Sequence, residues 1–132
     1  MDNKSKQFKI LSVEDDVIIG EMLVIMLGEM GYTTFSAENA FEGLEIYNDA
    51  LNSNEPFDLV ISDLGMADMD GIALSKELKR ITPDIPVILL TGFGSLVRHE
   101  DYDNVDCVLS KPIVIEELNK TIQKLMENRD NN

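Results

Sequence analysis

The sequence predicts a single α/β domain: a doubly wound, five-stranded parallel sheet with helices on both faces. Three observations predict it. Apolar runs such as Leu59-Val60-Ile61 and Pro86 to Leu90 are continuous, not alternating, as in strands buried on both faces. Between the runs, apolar residues recur at helical spacing. Each of four apolar strands ends on a polar group, where open α/β sheets gather their ligands.

The elements follow in order. Met1 to Gln7 is polar and is expected to be a flexible N-terminal segment. Phe8 to Val13 reads as the first strand and stops at Glu14-Asp15-Asp16. Ile19, Met22, Leu23, Met26, Leu27 and Met30 mark a helix that Gly31 can end, with Asp16 as its cap and the methionines as core filler. Tyr32 to Ser36 is β-branched and aromatic, a second strand. Asn39 caps a helix carrying Phe41, Leu44, Ile46 and Tyr47, which fades into the loop Asn52 to Pro56.

Leu59 to Ile61 forms the central strand, and Ser62-Asp63 puts a carboxylate at its end. Gly65, Asp68, Asp70 and Gly71 are loop chemistry, and Asp70 caps a helix carrying Ile72, Leu74, Leu78 and Ile81. Pro86 to Leu90 stops at Thr91-Gly92. Ser95 to Tyr102 is the weakest helix, with only Leu96 and Val97 apolar at its start. Val105 to Leu109 is a short last strand, ending at Ser110-Lys111-Pro112. Ile115, Leu118, Ile122 and Leu125 form the stripe of the last helix, and the polar tail from Asn128 is expected to fray. The domain is therefore expected over 8–127, with 128–132 a flexible tail.

Composition narrows the function. The chain has 132 residues, 44% hydrophobic and 27% charged, which suits one folded domain. The net charge of -14 argues against a nucleic-acid surface and against anionic membranes. The lone Cys107 can form no internal disulfide and reads as a buried structural thiol. The opening has no apolar segment and no run approaches a membrane span, so a cytoplasmic protein is expected.

Glu14, Asp15, Asp63, Thr91 and Lys111 would meet along one sheet edge. Three crowded carboxylates repel, and a hard divalent cation with oxygen ligands offsets that; Mg²⁺ suits a site that also meets a phosphate. Asp63 would then serve as a carboxylate nucleophile towards phosphorus. Lys111 would offset phosphoryl charge, and the Thr91 hydroxyl would hydrogen-bond an oxygen.

With these residues in place, the chain resembles a response-regulator receiver domain of two-component signalling. The matching pieces are V-E-D at Val13 to Asp15, S-D-L-G-M-A-D-M-D-G around Asp63, L-L-T-G at Leu89 to Gly92, and S-K-P at Ser110 to Pro112. The resemblance implies a flavodoxin-like (βα)5 fold and transfer of a phosphoryl group to Asp63 from a phosphohistidine of a sensor histidine kinase or phosphotransfer protein. It implies Mg²⁺ held by Glu14, Asp15, Asp63 and the backbone carbonyl of Gly65, and a cis bond before Pro112. Such a domain promotes its own aspartyl phosphorylation and dephosphorylation and signals by changing its protein-binding face. Two departures stand out: Ala67 replaces a frequent proline, and Val108 replaces an aromatic residue whose ring would report movement of Thr91.

Plainer readings compete with this one. Lys111 alone would be a surface lysine and Thr91 a turn residue. His99, the sole histidine, reads as solvated, and Phe93 and Tyr102 as either loop packing or partner surface. A haloacid-dehalogenase-type phosphatase would want an acid where Gly65 stands. A degenerate receiver acting only as an interaction module, or the receiver part of a longer regulator or hybrid kinase, are the remaining alternatives.

Overall fold

The fully buried strands Leu59–Asp63 and Val87–Thr91 and the nearly buried strand Lys9–Val13 pair side by side with the partly exposed edge strands Thr33–Ala37 and Cys107–Ser110 into one parallel sheet. A computed structural model gives the structure, and residues 8–92 and 103–130 are described. The elements are β1 (Lys9–Val13), α1 (Val17–Glu29), β2 (Thr33–Ala37), α2 (Ala40–Asn52), β3 (Leu59–Asp63), α3 (Gly71–Ile81), β4 (Val87–Thr91), β5 (Cys107–Ser110) and α4 (Ile115–Asp130). The strand order is β2-β1-β3-β4-β5, all parallel. The expected doubly wound order is therefore present. The chain winds outward from β1 to β2, then crosses to β3, so the direction of winding reverses between β1 and β3. Ligands bind at such a reversal.

Alternating strand residues build two cores. Leu11, Val13, Val60 and Val87 pack with Tyr47 of α2 and Leu74 and Leu78 of α3. Ile10, Leu59, Ile61, Ile88 and Leu90 pack with Leu23 and Leu27 of α1 and Leu118 and Ile122 of α4. Each fully buried aliphatic side chain contributes about 1.5–3 kcal/mol.

The predicted caps are in place. Asp16 accepts from the N–H groups of Ile18 and Ile19, Asn39 from Glu42, and Asp70 from Ala73. Gly31, at φ 97°, follows the end of α1 in the left-handed conformation that favours glycine. Strand limits differ from expectation by a residue or two, most at β5, which begins at Cys107 rather than Val105. The helix expected over Ser95 to Tyr102, with His99 and Phe93, lies outside the described residues.

Four expectations change. Phe41 is 61% exposed, because α2 buries Ala40, Gly43 and Tyr47 and Phe41 lies one step off that stripe. Met22 is not core filler but 49% exposed: α1 is apolar nearly all round and lies on one face of the sheet, so only its Gly20, Leu23 and Leu27 side is covered. Cys107 is half-buried, on an edge strand. Polarity predicts fraying from Asn128, yet α4 runs to Asp130, where the Arg129 guanidinium bridges the Asp84 carboxylate and the Asp58 carbonyl.

Candidate functional site

The site forms where β1 and β3 end side by side, with Val13 in register with Ser62. Glu14 follows β1 and keeps its pairing, donating its N–H to the Ala37 carbonyl at 3.0 Å. Its carboxylate accepts from the Asp16 N–H at 3.1 Å, so the turn that starts α1 also aims Glu14 inward. Asp63 is the last residue of β3 and is 8% exposed; Glu14 is 2% exposed. Asp15 is exposed between them, and one carboxylate oxygen from each of the three lies within 4.8 Å of the others.

Lys111 comes from the turn after β5. Its backbone N–H donates to the Thr91 carbonyl at 2.7 Å, which fixes the turn against β4. Its Nζ lies 2.8 Å from Asp63 Oδ1 and 3.2 Å from Glu14 Oε1. The Lys111-Pro112 bond is cis, as expected. Thr91 ends β4, 4% exposed and in register with Ser110. Gly65 is exposed two residues beyond Asp63, with open space where a side chain would stand.

Behind Asp63, α3 approaches closely. A Cβ on Gly71 would lie 2.5 Å from the Asp63 carbonyl oxygen and 2.5 Å from Leu89 Cδ1. Only glycine lets the first turn of α3 sit this close to the end of β3. The Gly71 N–H donates to the Leu64 carbonyl at 2.7 Å and closes the loop between β3 and α3.

The charges do not balance. Burial raises the pKa of the Glu14 carboxyl, and the neighbouring Asp63 adds to this, while the Asp16 N–H and Lys111 pull the other way. Burial alone would lower Lys111, but its hydrogen bond to Asp63 and the charge of Glu14 hold its pKa above the ordinary value. Among the described residues, the Lys111 ammonium thus pairs with two of the three clustered carboxylates, Asp63 and Glu14. The donor set, all carboxylate oxygen, fits a hard divalent cation such as Mg²⁺.

The sequence-predicted residues Glu14, Asp15, Asp63 and Lys111 converge, with Thr91 on the neighbouring strand end. One residue was read only as loop chemistry. Asp68 accepts from the N–H groups of Ala40 and Phe41, at 3.2 and 3.0 Å, and so ties the loop after Asp63 to α2. An acid in a loop was visible in the sequence, but its partners lie 28 and 27 residues away.

Comparison with known proteins places the chain in a family. A family model described as "Response regulator receiver domain" matches residues 10–123. The transcriptional regulatory protein GlrR of Escherichia coli is 36% identical over 124 residues, which cover 92% of this chain and 27% of that protein. The response regulator receiver protein CpdR of Brucella abortus is 32% identical over 120 residues, 89% of this chain and 96% of that one. Among solved structures, a receiver domain protein from Clostridium thermocellum superposes with a TM-score of 0.85 at 30% identity, over 93% of this chain and 97% of the other. The response regulator TrrA of Thermotoga maritima, solved with Mg²⁺-BeF, gives 0.81 at 29% identity, over 90% and 99%. This chain thus spans about a quarter of GlrR but nearly all of CpdR. It belongs to the response-regulator receiver domain family of two-component signalling.

Proposed function

We propose that Asp63 accepts a phosphoryl group from a phosphohistidine on a sensor histidine kinase or phosphotransfer protein, in a site that holds Mg²⁺ between Glu14, Asp15 and Asp63. The carrying observation is the three-carboxylate cluster within 4.8 Å, with the Lys111 ammonium 2.8 Å from Asp63. An Asp63 oxygen forms a bond to phosphorus as the bond between phosphorus and the imidazole nitrogen breaks, and that electron pair stays on the nitrogen. Bound Mg²⁺ supplies positive charge against the phosphoryl oxygens. Lys111 supplies a second, fixed positive charge, and its two carboxylate contacts hold it aimed at the acceptor. Thr91 would be the hydroxyl donor for a phosphoryl oxygen, and the Gly65 carbonyl would be a further ligand for the metal.

The partner has to bring its histidine to Asp63, and an apolar surface borders that point. Val17, Ile18, Met22 and Ile25 of α1 are all about half exposed or more. Beside them, Ile19, Met22, Met26, Ile113 and Ile115 line a hollow of about 310 Å³ next to Lys111 and Pro112. This face receives the phosphohistidine-bearing partner. Output runs through changed protein contacts.

The test is intact mass after incubation with acetyl phosphate and Mg²⁺. One phosphoryl group is expected on the wild-type protein and none on Asp63→Asn. Equal phosphorylation of that variant would overturn the assignment.

A further inference from the structure

The loop of residues 64–70 carries Gly65 past Asp63, and its two ends are well held. Leu64 donates its N–H to the Leu90 carbonyl at 2.8 Å, Gly71 returns to Leu64 at 2.7 Å, and Asp70 caps α3. Its middle contains Gly65, Ala67 and no proline, which is a flexible composition. There the Asp68 carboxylate accepts three N–H groups, from Ala40 at 3.2 Å, Phe41 at 3.0 Å and Met69 at 2.9 Å.

This arrangement is more than a helix cap. The start of α2 already has its own: Asn39 accepts from the Glu42 N–H at 2.8 Å, and Glu42 Oε1 accepts from the Glu38 N–H at 2.6 Å. Those two bonds engage the N–H groups of Glu42 and Glu38 and leave those of Ala40 and Phe41, and Asp68 takes both. The carboxylate is exposed, yet these bonds to backbone N–H groups, that of Phe41 first, hold its pKa below the ordinary carboxylate value. A negative group at a helix N-terminus is favoured further by the aligned peptide dipoles.

We infer that Asp68 is a positioning residue that fastens the loop beside the acceptor aspartate to the first turn of α2, so that ligand binding at the acceptor site is felt at Ala40 and Phe41. The inference rests on the proposed function, since it gives the loop a role in holding Mg²⁺ and the phosphoryl group. It adds a route. Movement of the loop after Asp63 is carried to α2, on the opposite sheet face from α1, and Phe41 presents an exposed ring at that point.

The experiment is a Mg²⁺ titration followed through backbone amide signals in the wild-type protein, Asp68→Ala, Asp68→Asn, and Asp68→Ala combined with Ala67→Pro. In the wild type, the Ala40 and Phe41 signals should shift together with those of the Asp63 loop. Asp68→Ala should weaken Mg²⁺ binding about tenfold, as loss of a partner that orients metal ligands does. In that variant Ala40 and Phe41 should stop responding. Asp68→Asn, which keeps an acceptor oxygen, should fall between. Adding Ala67→Pro should restore affinity by stiffening the loop, but not the response at Ala40 and Phe41, because the tether is still missing. Wild-type affinity in Asp68→Ala, with an unchanged response at Ala40 and Phe41, would overturn the inference. Wild-type protein that bound no Mg²⁺ would overturn the proposed function instead. Hydrogen exchange without metal then decides the tether by itself: Ala40 and Phe41 should exchange about fivefold faster in Asp68→Ala, as for a lost cap, and unchanged exchange would refute it.

Discussion

The two edges of the sheet treat charge in opposite ways. At the amino edge, every acid that matters has dedicated partners. Asp106 accepts from the Val87 N–H at 2.8 Å and from Lys79 Nζ at 2.7 Å, and the same Lys79 reaches the Ile85 carbonyl. Asp58 accepts from the Lys9 N–H at 2.8 Å, and Asp84 pairs with Arg129. At the carboxyl edge, Glu14, Asp15 and Asp63 crowd together around one lysine. The same residue types join strands and helices at one edge and leave a charge deficit at the other. The difference teaches where to look for chemistry: carboxylates tied to backbone N–H groups and nearby cations hold the fold, and a crowded carboxylate cluster is the candidate ligand site.

The contrast can be broken by exchanging damage between the edges. The largest effect after loss of Asp63 itself is expected at Asp15. Asp15→Asn removes an exposed carboxylate with no role in the core, so stability should stay within about 0.5 kcal/mol. Mg²⁺ affinity, measured by calorimetry, should fall by at least about 10- to 100-fold, the cost of losing even an outer partner of a metal ligand. A stability loss with unchanged affinity would reverse the roles of the two edges.

Asp106→Ala is the converse. It strips the part-buried Val87 N–H of its acceptor and removes an exposed partner of Lys79, which keeps the Ile85 carbonyl, and should cost about 1–2 kcal/mol in urea unfolding. Phosphorylation by acetyl phosphate should be unaffected, because Asp106 lies at the far edge of the sheet. A phosphorylation defect in folded Asp106→Ala would blur the comparison.

The smallest effect sharpens the boundary case, Asp68, which belongs to the site's loop but is fully partnered. Its carboxyl is held below the ordinary 3.8, first by the Phe41 N–H and then by those of Ala40 and Met69. With the folded value below the unfolded one, its contribution is present above the unfolded pKa and is lost as pH falls through the folded one. The Ala40 and Phe41 amide shifts should therefore titrate with a midpoint below the ordinary carboxylate value, and Asp68→Asn should abolish that step. A midpoint above 3.8 would contradict the hydrogen bonds.

Much of this was legible in the chain because it depends on local pattern. Continuous apolar runs marked the buried strands, and the polar residues that stop them, Glu14, Asp63, Thr91 and Lys111, marked one edge once the strands were taken as parallel. The caps Asp16, Asn39 and Asp70 were legible because a cap acts within one turn. What escaped depends on distance along the chain. Asp68 bonds across 27 and 28 residues, and Arg129 reaches Asp84 and Asp58 from the far end of α4. Helical spacing placed Phe41 and Met22 in the core because it sees apolar residues, not which stripe the sheet covers. Val108, the departure from the family pattern, lies on β5 in register with Leu89.

The most direct test of the acceptor is to map it chemically. After incubation with acetyl phosphate and Mg²⁺, borohydride reduces an aspartyl phosphate to homoserine, and peptide mass mapping locates the changed residue. The expected result is conversion at Asp63 alone. Conversion at Asp15, Asp68 or Asp70, with Asp63 intact, would contradict the assignment of the shared-lysine edge as the acceptor site.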